Sequence, residues 1–557
     1  MDNGGVLVAL VPSNGGFRAR ALDDTGHRAG PDLTVTPADV ARWESTDAPR
    51  WVFDSTPQAH GRLLDARVKV RRAHDVRLTE RILLGREGRF AEPVAAAAVH
   101  ARATGAQVPD DEPDEPARPD QPTLFDPRPV AVDVDPLDAL QAAVADQLQR
   151  IGDDGRLRLL VAAESASALT AVEMGRVGLP WRAQVHEALL VDALGPRPAT
   201  AGVRPVRLAE LAERITEAFG HPVNPDSVSD LREAFRRAGF SIESTRAWVL
   251  REIDHPAVPA VLAYKELSRL HSANGWAWLA EWVRDGRFRA EYLPGGVVSG
   301  RWATRGGGAL QIPRAVRSAV MAEPGHRLVV ADAAQLEPRV LAALSGDAAL
   351  SAAATAGDLY EAVAGDGFGG DRAHAKVALL GAMYGATTGE SGRLLSVLFD
   401  RYPRAMAVVE GAARAGERAE SVRSVLGRAS PPPGPWWREA TQAGSLPEAT
   451  EAEQRRARQV ARDWGRFTRN FVIQASAADW AAVWLSGLRA ALLDLPGAEL
   501  VFFQHDEVIV HVPEAMADDA ASMATATAAG ARELVFPGSV VPTPVRATIV
   551  TSYADAK

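Results

Sequence analysis

The segment that most restricts the fold is "QVPDDEPDEPARPDQPTLFDPRP", residues 107–129. It is rich in proline and acids and has almost nothing to bury, so it cannot share a core with its flanks and reads as a flexible linker. The chain must therefore build separate folded parts, and 557 residues leave room for roughly three or four domains at about 150 residues each. Before the linker, "VLVALV", "FRARAL" and "RWVFD" read as short strands and "EPVAAAAVHARATG" as a helix. From Pro136 to about 290 the pattern is mainly helical. Strand-like and helical segments then alternate to about 350, helices dominate 351–490, and the chain closes on strand, helix, strand. A second irregular insert, "ASPPPGPWWREATQAGSLPEAT" (429–450), interrupts the helices, and its two tryptophans are expected to pack locally. There is no internal repeat.

Composition removes several classes of function. No cysteine is present, which excludes disulfides, thiolate metal sites and cysteine nucleophiles, and suits a reducing cytoplasm. The opening "MDNGGVLVALVPSNGG" lacks the basic region and apolar length of a signal peptide. No stretch is apolar enough to span a bilayer, so no membrane association is expected. Formal net charge is −9, so a nucleic-acid site must be a local basic groove. Of 62 basic residues only Lys69, Lys265, Lys376 and Lys557 are lysines. An arginine- and alanine-heavy chain of this kind points to a G+C-rich bacterial genome, and it makes an internal lysine a position with a chemical reason.

In "ELVFFQHDEVIVHVP" (499–513) two apolar runs flank Gln504, His505, Asp506 and Glu507. Strand alternation would place one polar residue at every second position, and the glycine or asparagine of an ordinary tight hairpin is missing. A solvated acidic turn is one reading. A second candidate acid stands upstream in "HRLVVADAAQLEPRVLAALSGD" (326–347), where an apolar strand ends in Asp332 and a helix follows, with Pro338 tolerable in its first turn. Asp332 could cap that helix. If the two strands adjoin in one sheet, Asp332 and Asp506 could instead hold two divalent ions roughly 3.5–4 Å apart, as in-line phosphoryl transfer uses.

The stretch "DRAHAKVALLGAMYGATTG" (371–389) reads as a helix through about Tyr384. Arg372, Lys376, Leu380 and Tyr384 recur every four residues and share one face. Two cations at its N-terminal end suit a triphosphate, with an apolar and an aromatic residue beyond for a base. An amphipathic helix with solvated basic residues has the same pattern. The lysine favours the phosphate reading, because phosphate sites use a compact ammonium.

Together these segments resemble the family A DNA polymerases. "DAAQLEPRVLAALSGD" is similar to the family's first palm motif, "RAHAKVALLGAMYG" to its fingers-helix motif and "QHDEVIVHV" to its final palm motif. "SGRWATRGGGALQIP", "RFTRNFVIQASAADW" and, toward the thumb, "GHPVNPDSVSDLREAF" and "AYKELSRLHSANG" resemble connecting stretches. Each motif is weak alone; the ordered set, running from about 160 onward, is specific. The resemblance implies an α+β right-hand polymerase with an antiparallel palm sheet and helical fingers and thumb, preceded by a small α/β ribonuclease H-like domain of 3′–5′ exonuclease type. The expected divisions are 1–106 for that domain, 107–135 for the linker, 136–296 for a helical segment and thumb, 297–350 with 475–557 for the palm, and 351–474 for the fingers.

By the same resemblance, Asp332 and Asp506 bind two Mg²⁺ ions (Mn²⁺ able to substitute), with Glu507 a third acid nearby. Arg372 and Lys376 grip the incoming triphosphate. Gln335 and Glu337 lie against the sugar, Glu337 filling the space of a 2′-hydroxyl. Leu380, Tyr360 and Tyr384 line the nucleotide site. Arg301, Gln311, Arg466, Asn470 and Gln474 contact primer–template, His505 the primer terminus, and Lys265 and Arg269 the duplex at the thumb. The implied activity is template-directed addition of dNMP from dNTPs by a cytoplasmic monomer, in repair or gap filling.

The chain departs from the pattern at Ala333-Ala334, Pro338, Leu380 and Tyr360, where the family carries Tyr-Ser, Leu, an aromatic and a basic or histidine side chain. The N-terminal part offers no acid on its first strand, and Asp54 and Asp75 alone do not make a nuclease cluster. It is expected to be degenerate, and no 5′-nuclease domain is expected ahead of it. An active 3′–5′ exonuclease beside the polymerase, or a primer–template binding protein without catalysis, are the alternative readings.

Overall fold

The computed structural model describes residues 6–111, 134–200, 202–306, 308, 312–385 and 389–556. The linker expected at 107–135 falls mostly outside them. The chain divides into two compact units, the first formed by 1–176, 291–303 and 329–548, the second by 177–290, 304–328 and 549–557.

The first unit begins with a five-stranded sheet. Its strands are β1 (Leu7–Ser13), β2 (Gly16–Leu22), β3 (Arg28–Val35), β4 (Arg50–Phe53) and β5 (Arg72–Asp75), with helix α1 (Thr56–Asp65) between the last two. The spatial order is β3-β2-β1-β4-β5. β1 runs antiparallel to β2 and parallel to β4, and β4 runs parallel to β5. The unbroken apolar run of β1 follows from burial on both faces. Val8 and Leu10 join Phe17, Trp51 and Phe53 in one core, while Leu7 and Ala9 join Val52, Leu137, Leu140 and Val144 in the other. Leu137 to Val144 belong to helix α2 (Pro136–Ile151), which Asp135 caps by accepting from the Leu137 amide at 2.9 Å. Helix α3 (Gly155–Val177) follows.

The remainder of the first unit holds strand β6 (His326–Ala333), helices α4 (Leu336–Ser345), α5 (Leu359–Gly367) and α6 (Arg372–Tyr384), then α7 (Pro435–Ser445) and the 42-residue α8 (Glu451–Leu492). Strands β7 (Glu499–Gln504), β8 (Glu507–Pro513) and β9 (Val545–Val550) complete a four-stranded sheet of order β7-β8-β6-β9. The hairpin β7–β8 is antiparallel. α8 starts at a reciprocal cap: the Thr450 hydroxyl accepts from the Glu453 amide at 3.3 Å, and the Glu453 carboxylate accepts from the Thr450 amide at 2.8 Å.

The insert at 429–450 differs from its irregular reading. Pro435 begins helix α7, the position where a missing N–H costs nothing. Trp436 meets Trp464 of α8 edge-on at 6.4 Å.

A buried ionic cluster ties α8 to the N-terminal sheet. Arg489 donates to both oxygens of Glu173 on α3, at 3.0 and 2.6 Å, and to the Val70 and Arg71 carbonyls leading into β5. His60 of α1 meets the same carboxylate at 2.9 Å.

The second unit packs helices Val206–Phe219, Val228–Arg237 and Ala257–Asn274 around Leu208, Ile215, Leu231, Phe235, Val261 and Trp276. A three-stranded sheet, Leu179–Pro180, Arg287–Phe288 and Val283–Arg284, lies in the same unit. No helix of the described residues is long and apolar enough to cross a membrane.

The Glu173 cluster makes a stability prediction. Burial pushes this carboxyl up, but Arg489 and His60 outweigh it and hold it at about 2. The stabilisation is therefore full above the ordinary carboxyl range and lost as pH falls from about 4.5 toward 2. Glu173→Gln is expected to cost about 3 kcal/mol at pH 7. Denaturant unfolding of parent and variant should converge as pH approaches 2; a pH-independent gap would contradict the ionised pair.

Candidate active site

The end of strand β6 that carries Asp332 and the hairpin tip that carries Asp506 meet through the main chain. The Ala333 amide, one residue after Asp332, donates to the Asp506 carbonyl at 2.9 Å. The break in alternation at 504–507 is explained by the hairpin tip. Gln504 and Glu507 are register partners, and His505 and Asp506 form the connection. His505 takes the left-handed conformation, φ +56°, and the Asp506 amide donates to the Gln504 carbonyl at 2.6 Å. A non-glycine residue there is strained, a feature that gathers at functional sites. Asp332 and Asp506 are half-buried and Glu507 is buried. Burial first, then the positive Arg301, pushes the His505 imidazole below its ordinary range. Its Nδ1 has no hydrogen-bond partner among the described residues.

These acids supply hard carboxylate oxygens on two adjoining backbones, the donor type that Mg²⁺ and Mn²⁺ prefer. Asp332 and Asp506 can hold such ions, with Glu507 directly after Asp506 in the chain.

Beside them lies a cavity of about 220 Å³ lined by Arg301, Gln335, Glu337, Tyr360, Leu380, His505 and Asp506, among others. Glu337 is its ionic centre. One carboxylate oxygen pairs with Arg301, and the other accepts from the Tyr384 hydroxyl at 2.5 Å. Tyr384 also shares a side-chain hydrogen bond with Gln474; burial and Glu337 push its phenol up to about 12. Gln335 opens α4 in the left-handed region at φ +56°, and its side-chain oxygen accepts from the Leu359 amide at 2.9 Å. That amide oxygen is thus engaged with the start of α5.

α6 covers the span read from the sequence. Asp371 caps it by accepting from the Ala373 and His374 amides, and Gly385 ends it at φ +74°. Arg372 pairs with Asp358 at 2.8 Å and lies over the Tyr360 ring at 5.6 Å. Lys376 is exposed, and takes no hydrogen bond or ion pair among the described residues. Leu380 reaches the cavity one turn further on. A side chain at Gly385 would meet the Arg466 stem of α8 at 2.7 Å, so a glycine permits the close approach of these two helices.

On α8, Arg466 is exposed and pairs with Asp463, while Asn470 and Gln474 are half-buried at i+4 and i+8. Gln311 lies outside the described residues. Lys265 and Arg269 belong to the second unit. There Lys265 donates to the Thr245 hydroxyl at 2.7 Å and burial lowers its pKa, while Arg269 is exposed.

Sequence reasoning missed Arg339, Asp358, Asp479 and the pair Arg428–Glu164. Arg339 is buried in α4 and donates to the carbonyls of Ala334, Ala354 and Gly357, bracing the loop that carries Asp358. Asp358 binds Arg372. Asp479 on α8 is fully buried, accepts from the Leu426 amide at 3.0 Å and is raised by burial to about 6. Nearby Arg428 pairs with Glu164, and a side chain on Gly300, the residue before Arg301, would collide with that guanidinium. An arginine within an apolar helix was the one available signal, at Arg339.

In the N-terminal sheet, Asp54 accepts from Arg77 at 3.0 Å and from the Ala96 amide at 2.7 Å. Asp75 is buried, accepts from Thr56 and caps the following helix at the Leu78 amide. Burial pushes its carboxyl up. β1 contributes no acid.

Comparison with known proteins agrees with this architecture. The sequence model of DNA polymerase family A matches residues 204–555. DNA polymerase I of Chloroflexus aurantiacus is 28% identical over 379 residues, 60% of this chain and 38% of that protein. The thermostable DNA polymerase I of Thermus thermophilus is 27% identical over 368 residues, 59% of this chain and 42% of that protein. The match thus spans well under two thirds of either relative. The solved POL domain of Pol1 from M. smegmatis, a complex with DNA primer-template and dNTP, superposes with TM-score 0.71 at 19% identity, over 99% of this chain and 96% of that one. The α+β fold is that of this polymerase domain, and the chain belongs to DNA polymerase family A.

Proposed function

We propose that the chain is a template-directed DNA polymerase that adds dNMP to a primer 3′ end and releases pyrophosphate, acting in repair or gap filling in the cytoplasm as a monomer. The observation that carries this reading is the Ala333–Asp506 main-chain bond, which draws the acid-bearing end of β6 and the acid-bearing hairpin tip together beside a cavity that α6 also lines. A pure DNA-binding protein has no use for such a pairing.

In this reading Asp332 and Asp506 hold two Mg²⁺ ions, which Mn²⁺ can replace, with Glu507 behind them. When bound, the ions activate the primer hydroxyl and offset charge at the transferred phosphorus. Lys376 and Arg372 bind triphosphate oxygens, and their fixed charge favours the leaving pyrophosphate. Glu337, held at both oxygens by Arg301 and Tyr384, closes the sugar side, with Gln335 next to it. Leu380 and Tyr360 line the nucleotide's apolar side. The neutral imidazole of His505 keeps a nitrogen for the primer terminus. Arg301, Gln311, Arg466, Asn470 and Gln474 contact primer–template, and Lys265 and Arg269 grip the duplex.

We assign 297–350 and 475–557 to a palm, 351–474 to fingers, 136–296 to a helical segment with the thumb, and 1–106 to a silent exonuclease-like domain joined by a linker at 107–135. The silence rests on Asp54 and Asp75, whose oxygens are committed to Arg77, Thr56 and main-chain amides.

Asp332→Ala and Asp506→Ala are each expected to abolish primer extension while primer–template affinity stays within a few-fold, since that affinity comes mainly from phosphate contacts. In the same assay without dNTPs, a labelled mismatched primer should remain full length for the parent. Near-normal extension by either variant at saturating Mg²⁺ would disprove the metal assignment, and shortening that Asp54→Ala removes would disprove the silent domain.

Glu337→Ala should admit ribonucleotides more readily and lower the dNTP rate, because it opens the sugar wall and strips Arg301 and Tyr384 of their shared partner. Competition of rNTP against dNTP in single-turnover extension reads both effects. Unchanged discrimination would place the sugar gate elsewhere.

A further inference from the structure

We propose that Asp358 is a latch on the triphosphate grip, an anion that holds Arg372 until the phosphates of an incoming nucleotide displace it, and so sets nucleotide affinity. The inference rests on the polymerase reading of α6 given above.

Of Arg372 and Lys376 on that helix, only Arg372 is engaged among the described residues. Lys376 is open, whereas Arg372 is bound on two sides, by the Asp358 carboxylate at 2.8 Å and by the Tyr360 ring at 5.6 Å. A phosphate oxygen that approaches Nη2 of Arg372 must compete with that carboxylate for it. Asp358 cannot follow Arg372 away. Its other oxygen caps α5, accepting from the Glu361 amide at 3.0 Å, and its carboxylate also hydrogen-bonds the Gln335 side chain. Arg339 braces the preceding turn by donating to the Gly357 carbonyl at 2.5 Å. Burial raises the Asp358 carboxyl, yet the hydrogen bond from Arg372, then those from the Glu361 amide and Gln335, hold it at about 2, so the latch is charged throughout the neutral range.

The pair is weak enough to open. Both partners are partly exposed, and such ion pairs change an equilibrium by no more than about fivefold. Tyr360 is buried and stays in place as a platform for the guanidinium in either state. Where relatives carry a basic or histidine side chain, Tyr360 adds no charge for phosphate. The triphosphate therefore meets Lys376, a latched Arg372 and one fixed anion.

A bare helix cap is the competing explanation for Asp358, and asparagine separates the two, since it caps as well as aspartate but carries no charge. The measurement is equilibrium binding of a fluorescent dATP analogue to the full chain with primer–template, with inorganic triphosphate as competitor. Asp358→Asn should tighten both ligands about two- to fivefold while the melting temperature falls by no more than a few degrees, and the gain in binding should vanish in the Arg372→Ala background. Unchanged or weaker binding in Asp358→Asn would overturn the latch. An equal gain in Arg372→Ala would also overturn it, by showing only a general field. Extension by the parent is scored separately. A parent that binds triphosphate in this pattern but never extends a primer defeats the polymerase reading and leaves the latch standing.

Discussion

The hydrogen bond from the Ala333 amide to the Asp506 carbonyl is the constraint from which the site follows. It joins the end of one strand to the tip of a hairpin that begins far along the chain. Asp332, on the strand end, and Asp506, on the hairpin tip, thereby sit on adjoining stretches of backbone. The left-handed His505 is what turns the hairpin so sharply, and the bulge between Leu500 and Phe502 adjusts its register. Without that alignment the two acids would be a helix cap and a solvated turn, the other readings their sequences permit.

α8 carries the second constraint. At about 1.5 Å per residue it is roughly 63 Å long. Its C-terminal part is anchored by Arg489 to Glu173 and to the carbonyls before β5. Its middle carries Gln474, which reaches Tyr384, and Arg466, which lies against Gly385. One rigid rod thus links the N-terminal sheet to the end of α6. The N-terminal segment has a mechanical role in such an arrangement, because its removal would take away the Val70 and Arg71 carbonyls that Arg489 donates to and the His60 imidazole that meets Glu173.

Much of this was legible in sequence because it depends on local pattern. The apolar run "VLVALV" read as a strand, and in the fold Leu7, Val8, Ala9 and Leu10 divide between two cores. Four-residue spacing gave α6 through Tyr384, and the polar interruption at 504–507 marked a special turn. What escaped depends on distance in the chain or on composition that conceals a helix. Glu173 and Arg489 lie 316 residues apart, and neither has a local signature. Asp358 looks like an ordinary cap until Arg372 is seen against it. The insert at 429–450 hid α7 because a proline that breaks a helix interior also begins one. The division of the chain into two units, with 304–328 and 549–557 joining the second, depends on packing that no local pattern encodes.

The central claim is that Asp332 and Asp506 form one two-ion centre. Anomalous diffraction from crystals of the chain with primer–template, a non-hydrolysable dNTP analogue and Mn²⁺ tests it directly. The account predicts two peaks about 3.5–4 Å apart, both ligated by the Asp332 and Asp506 carboxylates. Ions bound away from these two residues, or a fully occupied nucleotide site with neither acid ligating metal, would contradict it.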